Sequence, residues 1–473
     1  MKPYAIRTIA AAAALTAALA ATTPITAQAP NPRARWEAQS RALLKELVEI
    51  NTTHSTGSTV IAAEAMAKHM RAAGFPSEDV IVLENAPRKG NLVVRYRGRN
   101  TGRKPILLLS HIDVVEADPK DWTLPPFEFI EKDSIFYGRG VADDKDESAI
   151  HLTILLRMKA EGIVPDRDII VALTADEEGG PANGVDWILR NRPELLRAEY
   201  AFNEGGGGRV EDKKKISNDI QASEKKVANF TVETTNSGGH SSQPRPDNAI
   251  YQLAAALSKL GNYHSPVHLN EVTREYFRRQ AAIVGGPTGA AMRTIVANER
   301  DSAAAAIISR DPANNSRLRT SCVATMLTGG HASNALPQRA TATVNCRILP
   351  DESTALVQQR LEKAIGDTGV HITVQRGAQD SPPSPLTPEL LRTIEQTTLE
   401  LWPGMPVVPT MSTGATDGRH LRVAGIPVYG VSGLFYEGPN AHGMNEKIEA
   451  RAFYEGLEFM YRLVRKLSAG PGM

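Results

Sequence analysis

The chain has 473 residues, with Lys+Arg 54 against Asp+Glu 53 and a formal net charge of +1. That balance excludes a global field able to collect nucleic acid or an anionic membrane, so small, locally steered ligands are the partners that fit. Two cysteines, Cys322 and Cys346, exclude a disulfide-built scaffold and a thiolate metal cluster, and leave room for one disulfide.

The chain opens with Lys2 and Arg7, an apolar stretch from Ile9 to Ala21 and then small residues, the pattern of a signal peptide over 1–29. Ala27-Gln28-Ala29 offers one cleavage site, although Pro30 follows it directly, and Ala20 or Ala21 offers another. No other segment reaches the roughly 18 apolar residues of a membrane span. The expectation is an exported protein, periplasmic or secreted.

The rest exceeds what one core usually supports, which predicts two domains. Helical periodicity covers 35–49 and 58–73, and strand-like runs follow at 81–85, 91–98 and 105–110. A helix from Glu147 to Glu161, an apolar strand over 168–175, a helix over 183–190 and a strand over 199–203 continue the alternation. Such alternation builds a mainly parallel, doubly wound α/β sheet.

After the glycines 205–208 and the charged run 211–215 the pattern changes. A strand (227–236), a helix (246–260), two strands (322–330, 340–349), a helix (353–365) and a last strand (370–377) form a β-α-β-β-α-β, ferredoxin-like unit. An alanine-rich helical insertion, 263–320, interrupts it. The proline-containing stretch 380–389 reads as a linker, beyond which lie a strand (426–432) and a closing helix (446–468). The predicted organisation is a catalytic domain of 30–222 and 380–473 carrying an inserted lid, 223–379, hinged near Ala222–Glu224 and Gln379–Pro383.

Three groups of ligand-type residues stand where predicted strands end: SHID (110–113), TADEE (174–178) and NE (203–204). In open α/β sheets the ligand crevice lies at those ends, so residues remote in sequence converge there. GRGVADDK (138–145) and AHGMNE (441–446) add to the set. Singly, each has a plain reading: His111 and Asp113 as a surface pair, Asp143 and Asp144 as helix caps, Glu177 and Glu178 as loop charges, His442 as a loop residue.

Together and in this order, with GGHSSQP (238–244), NALP (334–337) and NCRILP (345–350), they resemble the M20 metallopeptidase family of exopeptidases, dipeptidases and aminoacylases. The resemblance runs along nearly the whole mature chain. It implies that Asp143 bridges two metal ions, with His111 and Glu204 completing one site and Glu178 and His442 the other. Glu177 would be the general base and Asp113 the partner orienting the His111 ring. The Asp143–Asp144 peptide bond would be cis. His240, otherwise a turn residue among glycines, would help stabilise the oxyanion from the same chain or a dimer partner. Asn334 and Arg347 would hold the substrate, Arg347 by clamping its carboxylate.

The chemistry has its own reasons for this arrangement. Two cations about 3.5–4 Å apart lower the pKa of water and polarise a carbonyl, and a carboxylate can bridge them. Imidazole and carboxylate without thiolate suit Zn²⁺, with Co²⁺ or Mn²⁺ as substitutes. A carboxylate kept off the metals can then take a proton from the bridging water and deliver it to the leaving amine. The expected activity is hydrolysis of the amide bond next to a free amino-acid carboxylate in small peptides. The alternatives are an aminoacylase acting on N-acyl amino acids and a non-catalytic exported metal- or peptide-binding protein. A homodimer through the lid accompanies the resemblance. One position departs from the family: Asp146 stands where glycine is usual, free to bias the first turn of the following helix or to alter access.

Overall fold

Strands Ile106–His111 and Ile169–Thr174 are buried along their whole length, the mark of strands covered on both faces. They pair in parallel, with His111 opposite Thr174. Tyr200–Asn203 joins Ile106–His111 in parallel, and Val428–Gly430 joins Tyr200–Asn203 likewise. Both flanks of this parallel centre are mixed. Lys89–Tyr96 runs antiparallel to Ile169–Thr174 and to Val80–Ala86, while Lys214–Glu224 runs antiparallel to Val428–Gly430 and parallel to Val407–Ser412. This is the structure of a computed structural model, which describes residue 1 and residues 32–100 and 102–470. The expected signal peptide lies, apart from Met1, outside the described residues.

Helices cover both faces. Leu108, Val171 and Phe202 pack with Leu43 and Leu47, Leu152 and Leu155, and Phe453 and Leu457 from helices Pro32–Glu49, Lys145–Ala160 and Ala450–Ser468. On the other side Leu107, Ile170 and Ala172 meet Val185, Ile188 and Leu421 from helices Gly184–Asn191 and Gly418–Val423. The catalytic unit is therefore doubly wound. Among the described residues no helix is long and apolar enough to cross a membrane.

The inserted lid is a four-stranded antiparallel sheet ordered Ser321–Gly329, Arg339–Ile348, Lys226–Thr235, Val370–Arg376. Helices Ala249–Gly261 and Thr354–Ile365 bury one face against Phe230, Val232 and Val344. Asn248 caps the first helix by accepting from the Ile250 and Tyr251 N–H groups, and Ser353 caps the second. Cys322 and Cys346, opposite each other on adjacent strands, form a disulfide.

The helices of the 263–320 insertion, Glu271–Val284, Gly286–Ala297, Ser302–Ile308 and Pro312–Leu318, share their core with Val408 of the large sheet. Arg279 Nη1 donates to the Val407 carbonyl at 2.8 Å. In packing terms the insertion thus leans on the sheet edge of the catalytic unit. The chain crosses into the lid at Glu224–Lys225 and back near Ser381, and the Ser381 hydroxyl donates to the buried Glu224 carboxylate at 2.7 Å. Arg422, itself buried, lies 3.2 Å from Glu224.

One element has no counterpart in the sequence pattern. Residues 205–224 form a hairpin, Gly207–Glu211 with Lys214–Glu224, whose second strand sits inside the large sheet. Its buried side chains include Asn218, Gln221, Ser223 and Glu224 beside Ile220 and Ala222, so polar burial interrupts the apolar alternation of Ile216, Ile220 and Ala222. The turn carries Asp212 and Lys213 at φ 49 and 62, which places the charged run at the tip.

Candidate metal centre

His111 ends its central strand, buried, with its Nε2 atom 3.1 Å from Asp143 Oδ1. Its Nδ1 atom faces the Asp113 carbonyl oxygen at 3.1 Å. The Asp113 carboxylate stands 3.7 Å from the same Nδ1 and accepts the backbone N–H groups of Glu177 and Glu178 at 3.1 and 3.0 Å. Asp113 therefore fixes two things together: the ring that ends one strand and the glutamate turn that follows its neighbour. The expectation that Asp113 orients His111 is refined, because the ring hydrogen bond goes to the carbonyl while the carboxylate holds the turn.

Asp143 precedes helix Lys145–Ala160, and the Asp143–Asp144 bond is cis. Its Oδ1 faces His111, and its Oδ2 lies 3.1 Å from His442 Nε2. His442 Nε2 is also 2.8 Å from Glu178 Oε1. One carboxylate thus spans two imidazoles with its two oxygens. The neighbouring Asp144, at the helix cap position, accepts the His111 backbone N–H at 3.1 Å instead of capping the helix. Ligand atoms of His111, Asp143 and Glu178 lie within 4.8 Å of one another, as do those of His111, Glu177 and Glu204.

The loops bearing Asp143 and His442 are locked by a pair that sequence reasoning passed over. Arg139 and Glu446, both buried, approach to 2.7 Å. Glu446 also accepts the Gly140 and Ala142 N–H groups, and Arg139 donates to the His442 and Gly443 carbonyls. Both residues lie in the quoted motifs, so the signal was present without an assigned role. Asp417 is a second omission. It is buried, it accepts from Asn183, and its burial lifts its pKa to about 6. Asp146 lies buried in the helix's first turn, and burial raises its pKa well above the carboxylate range. It does not line the cavity described below.

The electrostatics follow from crowding. Burial raises Glu204, Asp144 and Glu178 above the usual carboxylate range. Burial lifts Glu177 to about 8, His111 pulling it down while Asp417, Glu178 and Asp113 push it up. Burial would depress His111, but Asp143, Asp113, Glu204 and Asp144 raise it well above 6.5. Hydrogen bonding to Asp143, with the charge of Glu178, takes His442 to about 9. Asp143 is the exception: burial raises it, yet the His111 and His442 bonds hold it below its ordinary value. Among the described residues no lysine or arginine forms an ion pair with Asp143, Glu177, Glu178 or Glu204. Nearby Asp176, by contrast, is paired with Lys89. Carboxylates and imidazoles gathered without a lysine or arginine counter-ion are a donor set that fits hard or borderline divalent ions.

A cavity of about 450 Å³ opens from Asp143, Asp144 and Glu204 toward Arg209, Arg317 and Thr413. Arg347 Nη1 donates to the Thr413 carbonyl at 3.3 Å, so the lid reaches the cavity wall. His240 and Asn334 are placed differently. They adjoin through the Gly239–His240 and Ala335–Leu336 strand pair, with Ser241 N–H donating to the Asn334 carbonyl. His240 is exposed, accepts from the Ser242 hydroxyl and N–H, and does not line the cavity.

Residues 107–466 match the model of Peptidase family M20/M25/M40. The chain is 29% identical to "Probable carboxypeptidase S-like 2" of Dictyostelium discoideum, over 83% of this chain and 77% of that protein. It is 28% identical to the human (Homo sapiens) N-fatty-acyl-amino acid synthase/hydrolase PM20D1, over 78% of this chain and 75% of that protein. Its fold resembles the M20 family metallo-carboxypeptidase Sso-CP2 from Sulfolobus solfataricus, with a TM-score of 0.67 and 18% identity over 90% of this chain and 98% of the other.

The Arg139–Glu446 pair gives this geometry a test. Glu446→Ala leaves a buried guanidinium without its counter-ion, and breaking such a pair costs about 3–5 kcal/mol. Thermal and denaturant unfolding are expected to show a loss of that order. A variant as stable as the wild type contradicts the locking role.

Proposed function

The chain belongs to Peptidase family M20/M25/M40 and is a hydrolase, and we propose that it uses two divalent ions to cleave the amide bond next to a free amino-acid carboxylate. The observation that carries the reading is Asp143, whose two oxygens face His111 and His442 separately. His111, Asp143 and Glu204 would hold one ion, and Asp143, Glu178 and His442 the other. Such ions, Zn²⁺ best suited to this donor set, supply a lowered water pKa and a polarised scissile carbonyl.

The chain's own groups do the rest. Glu177 makes no hydrogen bond to either imidazole, whereas Glu178 engages His442, which supports ligation by Glu178 and proton transfer by Glu177. Glu177 takes a proton from the attacking water and returns it to the leaving amine, while Asp113 holds its backbone in place. Arg347, whose guanidinium offers a planar fork, clamps the substrate carboxylate beside Thr413. The relatives named carboxypeptidase and N-fatty-acyl-amino acid synthase/hydrolase share this leaving group in their names' chemistry, so an N-acyl amino acid is the second substrate class this reading admits.

We also propose a homodimer through the lid. The edge strand Ser321–Gly329 exposes Val323, Met326 and Leu327 at 60%, 67% and 69%, and an exposed apolar edge is a template for a second chain. His240 does not line the cavity of its own chain, which supports its serving the partner's site or reaching its own on lid closure.

Three outcomes are expected. Metal analysis gives about two ions per chain; Glu178→Gln lowers that content, while Glu177→Gln keeps it and loses about 10²-fold or more in kcat. Near-normal kcat in Glu177→Gln identifies another base. A substrate with its terminal carboxylate blocked as the amide loses at least roughly tenfold in kcat/KM, because a charge-assisted bond contributes about 1.5–3 kcal/mol; Arg347→Ala brings the two substrates together, and equal values in the wild type place specificity elsewhere. Light scattering reads a dimer for the wild type and a monomer for Met326→Glu combined with Leu327→Glu, and a monomeric wild type rejects the dimer.

A further inference from the structure

The cavity continues past the metal-binding carboxylates to a wall the proposed mechanism does not use. Arg317, on helix Pro312–Leu318 of the insertion, stacks over the Tyr276 ring at 4.7 Å, and its Nε is buried with no hydrogen-bond partner among the described residues. Arg209, on strand Gly207–Glu211, donates from Nη2 to Gln280 Oε1 at 3.3 Å, while its Nε lies 3.6 Å from the exposed Glu211 carboxylate and is also buried without a hydrogen bond. Both side chains line the cavity, and both keep donors unspent. The carboxylate on the same wall, Asp219, is bonded to the Ser217 hydroxyl at 2.6 Å. Burial raises the Asp219 pKa while both arginines lower it, so a single buried carboxylate faces two guanidinium groups.

Arg317 and the proposed α-carboxylate clamp Arg347 both lie within electrostatic reach of Lys225. Lys225, buried at the crossing into the lid, donates from Nζ to Ser316 Oγ at 3.2 Å and to the Arg319 carbonyl at 2.7 Å, on either side of Arg317 in sequence. Burial lowers Lys225 to about 7, and the charges of Arg347 and Arg317 both add to the effect. Arg347 is anchored at Thr413, which belongs to the same cavity wall. A substrate reaching from Arg347, beside Thr413, to Asp143 would share the cavity that Arg209 and Arg317 line. Guanidinium groups in a partly dehydrated cleft match a second carboxylate.

We infer that Arg209 and Arg317 form a side-chain subsite that selects leaving amino acids bearing a carboxylate, namely aspartate and glutamate. The inference rests on the hydrolase reading above and adds the substrate class to it.

The test compares Ala-Glu with Ala-Gln, and N-acetyl-Glu with N-acetyl-Gln, on the full metal-loaded enzyme. The wild type is expected to prefer the glutamyl member by at least about tenfold in kcat/KM, equivalent to about 1.4 kcal/mol. Arg317→Gln and Arg209→Gln each move that ratio toward one through loss on the glutamyl substrate, and Arg317→Lys restores part of it. Unchanged metal content and melting temperature confirm that the variants fold. A wild-type ratio near one with metal-dependent turnover of the glutaminyl substrate overturns this inference alone, as do equal losses on both substrates in Arg317→Gln. Absence of hydrolysis of every member overturns it together with the reading beneath it.

Discussion

Crowding buried carboxylates together is among the costliest things a fold can do, and this fold does it around His111. Glu177, Glu204, Asp144 and Glu178 all have pKa values raised by burial. The ends of parallel strands make the crowding geometrically feasible. Each strand is fixed over its length by apolar packing on both faces, so its terminal residue cannot withdraw into solvent. Divalent cations are the counter-charge the arrangement lacks, and binding them would stabilise the folded chain by mass action.

Around that centre, several buried charges are paired across segments remote in sequence. Arg139 meets Glu446, Lys89 meets Asp176 and Arg422 meets Glu224. Their positions are instructive. The first pair joins the loop before Asp143 to the loop of His442, the second sits beside the glutamate turn, and the third lies where the chain passes into the lid. Buried pairs are weak evidence for net stability, but each here ties together segments remote in sequence. The centre is thus held in shape by neutralised pairs, and Asp113 links His111 to the Glu177–Glu178 turn by hydrogen bonds of both its carbonyl and its carboxylate.

The helical insertion changes how the lid relates to the catalytic unit. Its core includes Val408, and Arg279 bonds the Val407 carbonyl, so part of the chain between the two crossings is anchored to the large sheet. The four-stranded lid sheet, by contrast, leaves its edge strand exposed. Arg317, from the anchored part, lines the cavity directly, whereas Arg347 of the lid sheet reaches it only through its hydrogen bond to the Thr413 carbonyl on the cavity wall.

Much was legible in the residues themselves. Fully apolar runs such as 106–109 and 169–173 can only be strands or helices buried on all sides, and their shortness decides for strands. Ligand-type residues placed directly after them then have to converge, because the strand ends lie side by side; His111 and Thr174 are register partners. The signals failed where burial was polar. Strand Lys214–Glu224 hides Asn218, Gln221 and Glu224 inside the sheet beside Ile220 and Ala222, and its period-2 pattern is masked by buried residues whose partners are hydrogen bonds. What the amino-acid order determined by itself was local: element type, caps, and which residues stand at strand ends. Which oxygen of Asp143 faces which imidazole, that Arg139 answers Glu446, and that Arg317 shares a cavity with Asp143 were decided only by tertiary structure, because such contacts join segments tens to hundreds of residues apart and depend on how rigid layers stack.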